Sequence, residues 1–136
     1  SGLVELGKRY GQGLQLLNIL RDAPADWLNR RCYLPGPWGK STPLPPDPAG
    51  LARLFPIMRA RLDQCRDWLD DGVRYGEGLR GWRVRSASAL PAALGHSTLD
   101  ALVLADEQAW LKRVKISRPV ARRVVFSAVV SAFWPW

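Results

Sequence analysis

The sequence predicts an all-α domain, and three observations carry that expectation. Apolar residues recur at three- and four-residue spacing through long stretches. No segment sustains the alternation of apolar and polar residues that a half-buried strand needs. Proline gathers in one stretch, residues 35–48, which separates two helical regions. The 136 residues fit one domain, 1–136, with an ordinary apolar content of 47%. A chain of this size buries roughly two-thirds of its unfolded surface.

The first helix is expected from about Leu3 to Asn29. Leu3, Leu6, Tyr10, Leu14, Leu17 and Leu20 share one side and should face a core. Gly7 and Gly11 lie on the side of Gln15 and Asn18, either leaving room for a long apolar ligand or allowing close helix packing. Pro24 lacks a backbone donor and is expected to kink or end this helix. Residues 35–48 form a loop, because six of the fourteen positions are proline and two are glycine. Leu51 to Phe55 lead into Pro56, and Ile57 to Tyr75 form the second helix, with Met58, Leu62, Cys65 and Leu69 on one stripe. Asp67, Asp70 and Asp71 are read as its solvated face. The third helix runs from about Leu79 to Leu104, kinked at Pro91, with Ala87, Ala89, Ala92 and Ala93 making one side small. Asp106 to Val114 is a short helical connection. Pro119 suits the first turn of a last helix, with Ser117 as its N-cap.

Composition narrows the function classes. Two cysteines, Cys32 and Cys65, have no metal or disulfide-framework spacing and read as reduced thiols of a cytosolic protein. One histidine, His96, is too few for most histidine zinc sites and reads as structural or surface-lying. The net charge of +8 suits an anionic partner: nucleic acid, a membrane surface or an anionic small molecule. The basic residues are scattered and no common nucleic-acid-binding signature appears, so nucleic acid is not the expected partner. The apolar run Val124 to Trp136 is too short to span a bilayer. Trp134 and Trp136 around Pro135 suit either a membrane-surface anchor or packing. The expected location is the cytoplasm, free or at a membrane surface.

The chemistry concentrates in Gln15 to Pro35, QLLNILRDAPADWLNRRCYLP. Gln15, Asn18, Asp22 and Asp26 stand at offsets 0, 3, 7 and 11, on one narrow helix face. Two carboxylates one turn apart are an oxygen-donor pair for Mg²⁺, which keeps several waters and takes one or two carboxylates plus substrate phosphates. An isolated aspartate pair at this spacing is usually just a solvated face. Here Gln15, Asn18, Arg21, Asp22, Asp26, Arg31, Tyr33, Leu34 and Pro35 occur together and in order, and this set resembles the second aspartate-rich motif of the squalene and phytoene synthase family. Downstream, Ala89-Leu90-Pro91, Thr98-Leu99 and Val114-Lys115-Ile116-Ser117 resemble the late helix and lysine-bearing segment of the same family. The two matches cover most of the chain.

The resemblance implies an isoprenoid-synthase-type helical bundle, of which this chain looks like the C-terminal half. It implies a prenyltransferase that condenses two isoprenoid diphosphates, farnesyl or geranylgeranyl, head-to-head through a cyclopropyl intermediate. Asp22 and Asp26 then hold Mg²⁺. Arg21, Arg31 and Lys115 face the departing diphosphate, Gln15 and Asn18 bond metal-bound water or diphosphate oxygens, and Tyr33 orients the diphosphate or faces the cation. NADPH is needed for squalene-type products and not for phytoene-type ones. The chain has no GxGxxG fingerprint to decide between them. Arg30 stands where the family commonly has glycine, and reads as a surface charge. The family's earlier DxxxD motif does not occur upstream of Gln15, so this piece alone is expected to be inactive. A missing N-terminal half, a partner chain or a second copy would supply the other wall. The alternative is a non-catalytic homologue that binds prenyl lipid, membrane or a partner synthase.

Overall fold

The computed structural model describes residues 2–34 and 48–133. Its helices are α1 (Gly2–Leu28), α2 (Pro48–Ala60), α3 (Leu62–Glu77), α4 (Trp82–Leu104), α5 (Glu107–Leu111) and α6 (Arg118–Phe133), with no strand among the described residues. The expected proline-rich loop lies outside the described residues except for Pro48, where α2 starts. The all-α expectation holds.

Boundaries moved where local chemistry differed from expectation. Pro56 does not divide α2; it lies inside the helix on an exposed side. The break comes at Arg61, whose N–H reaches back only three residues, to Met58 O at 3.1 Å. That single tightened turn preserves the stripe, and Met58, Leu62, Cys65 and Leu69 are all buried. Helix α4 starts later than Leu79 because Gly81 takes φ +86°, a conformation that L-residues with a Cβ avoid. Asp106 caps α5 by accepting the Ala109 N–H at 2.7 Å, and Ser117 Oγ accepts the Val120 N–H at 3.4 Å at the start of α6, as expected.

The long helices pack in sequence: α1 along α3, α3 along α4, α4 along α6. Helices α2 and α5 meet beside Leu20, where the Phe55 and Trp110 rings lie 5.6 Å apart. Leu20, Leu54, Met58, Cys65, Leu69, Leu99, Leu102 and Trp110 are fully buried between them. The α1 stripe deepens along the helix: Leu3 is exposed, Leu6 and Leu14 are half-buried, and Tyr10, Leu17 and Leu20 are buried. The α1–α3 contact is close because glycine sits on both sides. A Cβ on Gly13 would stand 2.9 Å from Trp68 Cβ, and one on Gly72 would enter the Tyr10 ring.

The acidic triplet of α3 is not uniformly solvated. Asp67 and Asp70 are exposed, but Asp71 is buried against α1. Arg9 and Arg74 each hold one of its oxygens at 3.3 Å. The residue beside Gly72 is drawn into the interface that Gly72 permits, and its charge is met there by two guanidinium groups. His96 is half-buried, with Nε2 3.2 Å from Asp70 Oδ1.

Candidate diphosphate and metal site

Helix α1 does not stop at Pro24; it continues to Leu28. A proline at position 24 removes the N–H that would donate to the carbonyl of residue 20. In this fold that carbonyl has another donor. Trp110 Nε1–H reaches Leu20 O at 2.9 Å, and both residues are fully buried. The indole from α5 therefore supplies the bond that the proline cannot, inside the core where an unpaired carbonyl would be costly. Asp22 and Asp26 thus stay one turn apart on a continuous helix.

The carboxylates stand in contrasting environments. Arg21 grips Asp22 through two bonds, Nε to Oδ1 at 2.9 Å and Nη2 to Oδ2 at 3.1 Å. Arg113 Nε approaches the same Oδ1 at 3.8 Å. Arg21's hydrogen bonds hold the Asp22 carboxyl below its ordinary range, against partial burial, with the charges of Arg21 and Arg113 adding to the effect. Partial burial, and then the charge of Asp22, push the Asp26 carboxyl up, while Arg31 pulls it the other way. Two acids one turn apart therefore already oppose each other's charge, and a cation between them relieves that repulsion. Among the described residues no cluster of three or more His, Cys, Asp or Glu side chains could hold a metal. An aspartate pair is enough for Mg²⁺ that keeps water and shares substrate phosphate oxygens, so these residues fit that ion.

The turn after α1 fixes the exit of the motif. Arg31 N–H donates to Asp26 O at 2.8 Å and Arg30 N–H to Trp27 O at 2.9 Å, the two bonds of a Schellman cap. Arg30 occupies its left-handed position at φ +58°. This gives a physical reason for glycine at that position, which the charge of Arg30 alone does not. Arg31 and Tyr33 then run exposed, while Leu34 is anchored in the core.

Gln15 and Asn18 lie exposed on the same helix, two turns or less before Asp22. Beside Gln15 is a recess of about 380 Å³ lined by Gly11, Gln12, Gln15, Leu16, Ile19 and Trp68. The glycines separate here: a Cβ on Gly11 meets nothing within 4 Å, whereas one on Gly7 would stand 3.0 Å from the Tyr75 ring. Gly11 leaves room and Gly7 serves packing. A larger groove of about 980 Å³ opens between α3, α4 and α6, lined by Ala89, Ala92 and Ala93 among others, and touches none of the predicted site residues. The carboxylates line neither hollow; they are half-buried at the end of α1.

Asp22, Asp26, Arg21 and Arg31 are thus brought together. Lys115 is exposed two residues beyond Arg113. Arg113 is the residue that the sequence reading missed. It lies 91 positions from Asp22, takes φ +71° after α5, and is carried to the site by the Trp110 anchor. Nothing in local spacing announces that.

The model of the squalene/phytoene synthase family matches residues 1–120. A bifunctional lycopene cyclase/phytoene synthase of Aspergillus oryzae (strain ATCC 42149 / RIB 40) is 36% identical over 73 residues. That stretch is 54% of this chain and 12% of the relative's own length. No solved structure matches significantly.

Proposed function

Because the chain belongs to the squalene/phytoene synthase family, we propose that it is part of a Mg²⁺-dependent prenyltransferase. The proposed reaction condenses two isoprenoid diphosphates, farnesyl or geranylgeranyl, head-to-head to a squalene- or phytoene-type product. The observation that carries this is the pair Asp22 and Asp26 on an unbroken turn of α1, with Arg21, Arg31 and Arg113 acting on the carboxylates. Bound Mg²⁺ supplies charge neutralisation and polarisation of the leaving oxygen. Asp22 and Asp26 hold it. Arg31, five residues after Asp26, and Lys115, two residues after Arg113, are exposed and face the diphosphate as its negative charge develops. Arg21 keeps Asp22 ionised and aimed, so its first duty is to the carboxylate. Gln15 and Asn18 bond diphosphate oxygens or metal-bound water, and Tyr33 orients the diphosphate. The recess from Gly11 to Ile19 offers an apolar surface for the first isoprene units. NADPH enters only for a squalene-type product.

The 136-residue chain on its own is expected to bind but not to turn over, since only one carboxylate wall with the family motif is present. Calorimetric titration of the chain with a non-hydrolysable farnesyl diphosphate analogue, with and without Mg²⁺, tests the site. Binding should require Mg²⁺ and vanish in Asp22→Ala. Mg²⁺-independent binding, or binding unchanged in Asp22→Ala, refutes the assignment, and robust diphosphate release by a monomer refutes the expected inactivity. Pro24 would favour the non-catalytic alternative if it broke the helix that carries the motif, but α1 runs through it to Leu28.

A further inference from the structure

The groove of about 980 Å³ between α3, α4 and α6 has small residues along its floor and arginine at its edges. Ala89, Ala92 and Ala93 of α4 and Gly76 of α3 line it, opposite Val120 and Val124 of α6. A Cβ on Gly76 would meet only Ser88, at an ordinary 3.6 Å. Helix packing therefore does not call for glycine there, and the missing side chain widens the hollow. Along α4 the lining runs from Arg85 to Ser97, about 18 Å at helical rise. None of the lining residues belongs to α1, so the groove is separate from the aspartate pair. No helix among the described residues, α6 included, is long and apolar enough to cross a membrane. Trp134 and Trp136, the tryptophans noted in the sequence, lie outside the described residues, and the groove stands without them.

Two guanidiniums line this groove without an acidic partner. Elsewhere Asp22, Asp71 and Asp100 are taken by Arg9, Arg21, Arg66, Arg74 and Arg113. Arg85 is half-buried and held in place: its Nη2 donates to Ala132 O at 2.7 Å, tying the start of α4 to the last turn of α6. Its Nε–H is shielded from water and has no acceptor, so the charge is only partly compensated. Arg123 stands exposed about 14 Å away along α6, where its aliphatic stem can cover apolar surface while its charge stays in water. Glu77, exposed, is the lone carboxylate among the lining residues, and His96 is engaged with Asp70. A diphosphate would need a metal or several cations around it, and the groove has no carboxylate pair to hold one. An apolar chain ending in a single negative charge matches what is present: one fixed guanidinium and a long floor of methyl groups. We propose that this groove binds a long-chain carboxylate, with its head on Arg85 and its acyl chain along Ala89, Ala92 and Ala93.

Calorimetric titration of the chain with dodecanoate, below its micelle concentration, tests the proposal. Binding should saturate at one molecule per chain, and dodecanol should bind on the order of tenfold more weakly. Arg85→Gln should cost about tenfold, whereas Arg85→Lys, which keeps the charge, should retain most of the affinity. Ala93→Phe fills the floor and should abolish saturable binding; Ala89→Leu, a smaller intrusion, should weaken it, and circular dichroism should show unchanged helix content in both. Asp22→Ala should bind dodecanoate like the parent chain. Non-saturating uptake, equal affinity for dodecanol, or undiminished binding by Ala93→Phe overturns the proposal. So does loss of binding in Asp22→Ala, which would place the molecule at the aspartate pair. None of these readouts requires Mg²⁺ or diphosphate.

Discussion

Trp110→Phe and Pro24→Ala, made singly and together, measure how the second aspartate stays on its helix. Trp110→Phe keeps a ring against Phe55 but removes the Nε1–H that reaches the Leu20 carbonyl at 2.9 Å. Leu20 is fully buried, so its carbonyl is left without that donor at a cost of about 1–3 kcal/mol, with a further term for the smaller ring. With alanine at 24, a backbone N–H returns at the position that donates to residue 20. Trp110→Phe in that background loses only the ring-size term. The cycle should therefore give a coupling energy of about 1–2 kcal/mol, with the tryptophan mattering less once the proline is gone. Urea unfolding of the four proteins, followed by circular dichroism at 222 nm, supplies the numbers. Coupling below about 0.5 kcal/mol is ordinary additivity and would refute the claim that the indole replaces the missing helical bond.

Three other outcomes follow from the same geometry. Arg30→Gly should stabilise the fold, because the left-handed conformation at φ +58° costs a residue with a Cβ about 1–2 kcal/mol. Glycine's looser unfolded chain takes back about 0.5–1 kcal/mol, so calorimetry should show a melting temperature a few degrees higher, and a fall would contradict the cap assignment. Gly72→Ala should destabilise by about 1–3 kcal/mol in denaturant titration, since the added methyl enters the Tyr10 ring; an unchanged midpoint would mean that α1 and α3 are less tightly apposed. Asp26→Asn should raise apo-protein stability at neutral pH while weakening Mg²⁺ binding. The Asp26 carboxyl is pushed up in the fold, so its contribution is favourable below its unfolded value and is lost as pH rises through the folded one. The gain from asparagine should therefore shrink on acidification below the carboxylate range, and a gain that is constant with pH would show that charge is not its source.

Much of the scaffold could be read from spacing, because helical periodicity is a local property. The stripe Met58, Leu62, Cys65 and Leu69 and the Ser117 cap are of this kind. The misreadings came from partners distant in the chain. Pro24 looked like a break because its remedy lies at Trp110. Asp71 looked solvated because Arg9 belongs to another helix. Gly7 and Gly11 are indistinguishable in sequence, and only the position of Tyr75 gives one to packing and leaves the other open. At the candidate site the order of residues from Gln15 to Pro35 was informative, whereas Arg113 reaches Asp22 through a turn that no local pattern encodes.

The bond between the indole and Leu20 also orders events during synthesis. While a nascent chain has emerged only as far as residue 30 or so, the last turns of α1 lack both their proline-deleted bond and its substitute. They become secure only after position 110 has emerged and the intervening loop has closed, a long-range step that is slow relative to helix growth. The stretch bearing the acidic pair is therefore expected to be among the last parts of the domain to gain protection from hydrogen exchange. Pulse labelling that found it protected as early as the start of α1 would show that it needs no such clasp.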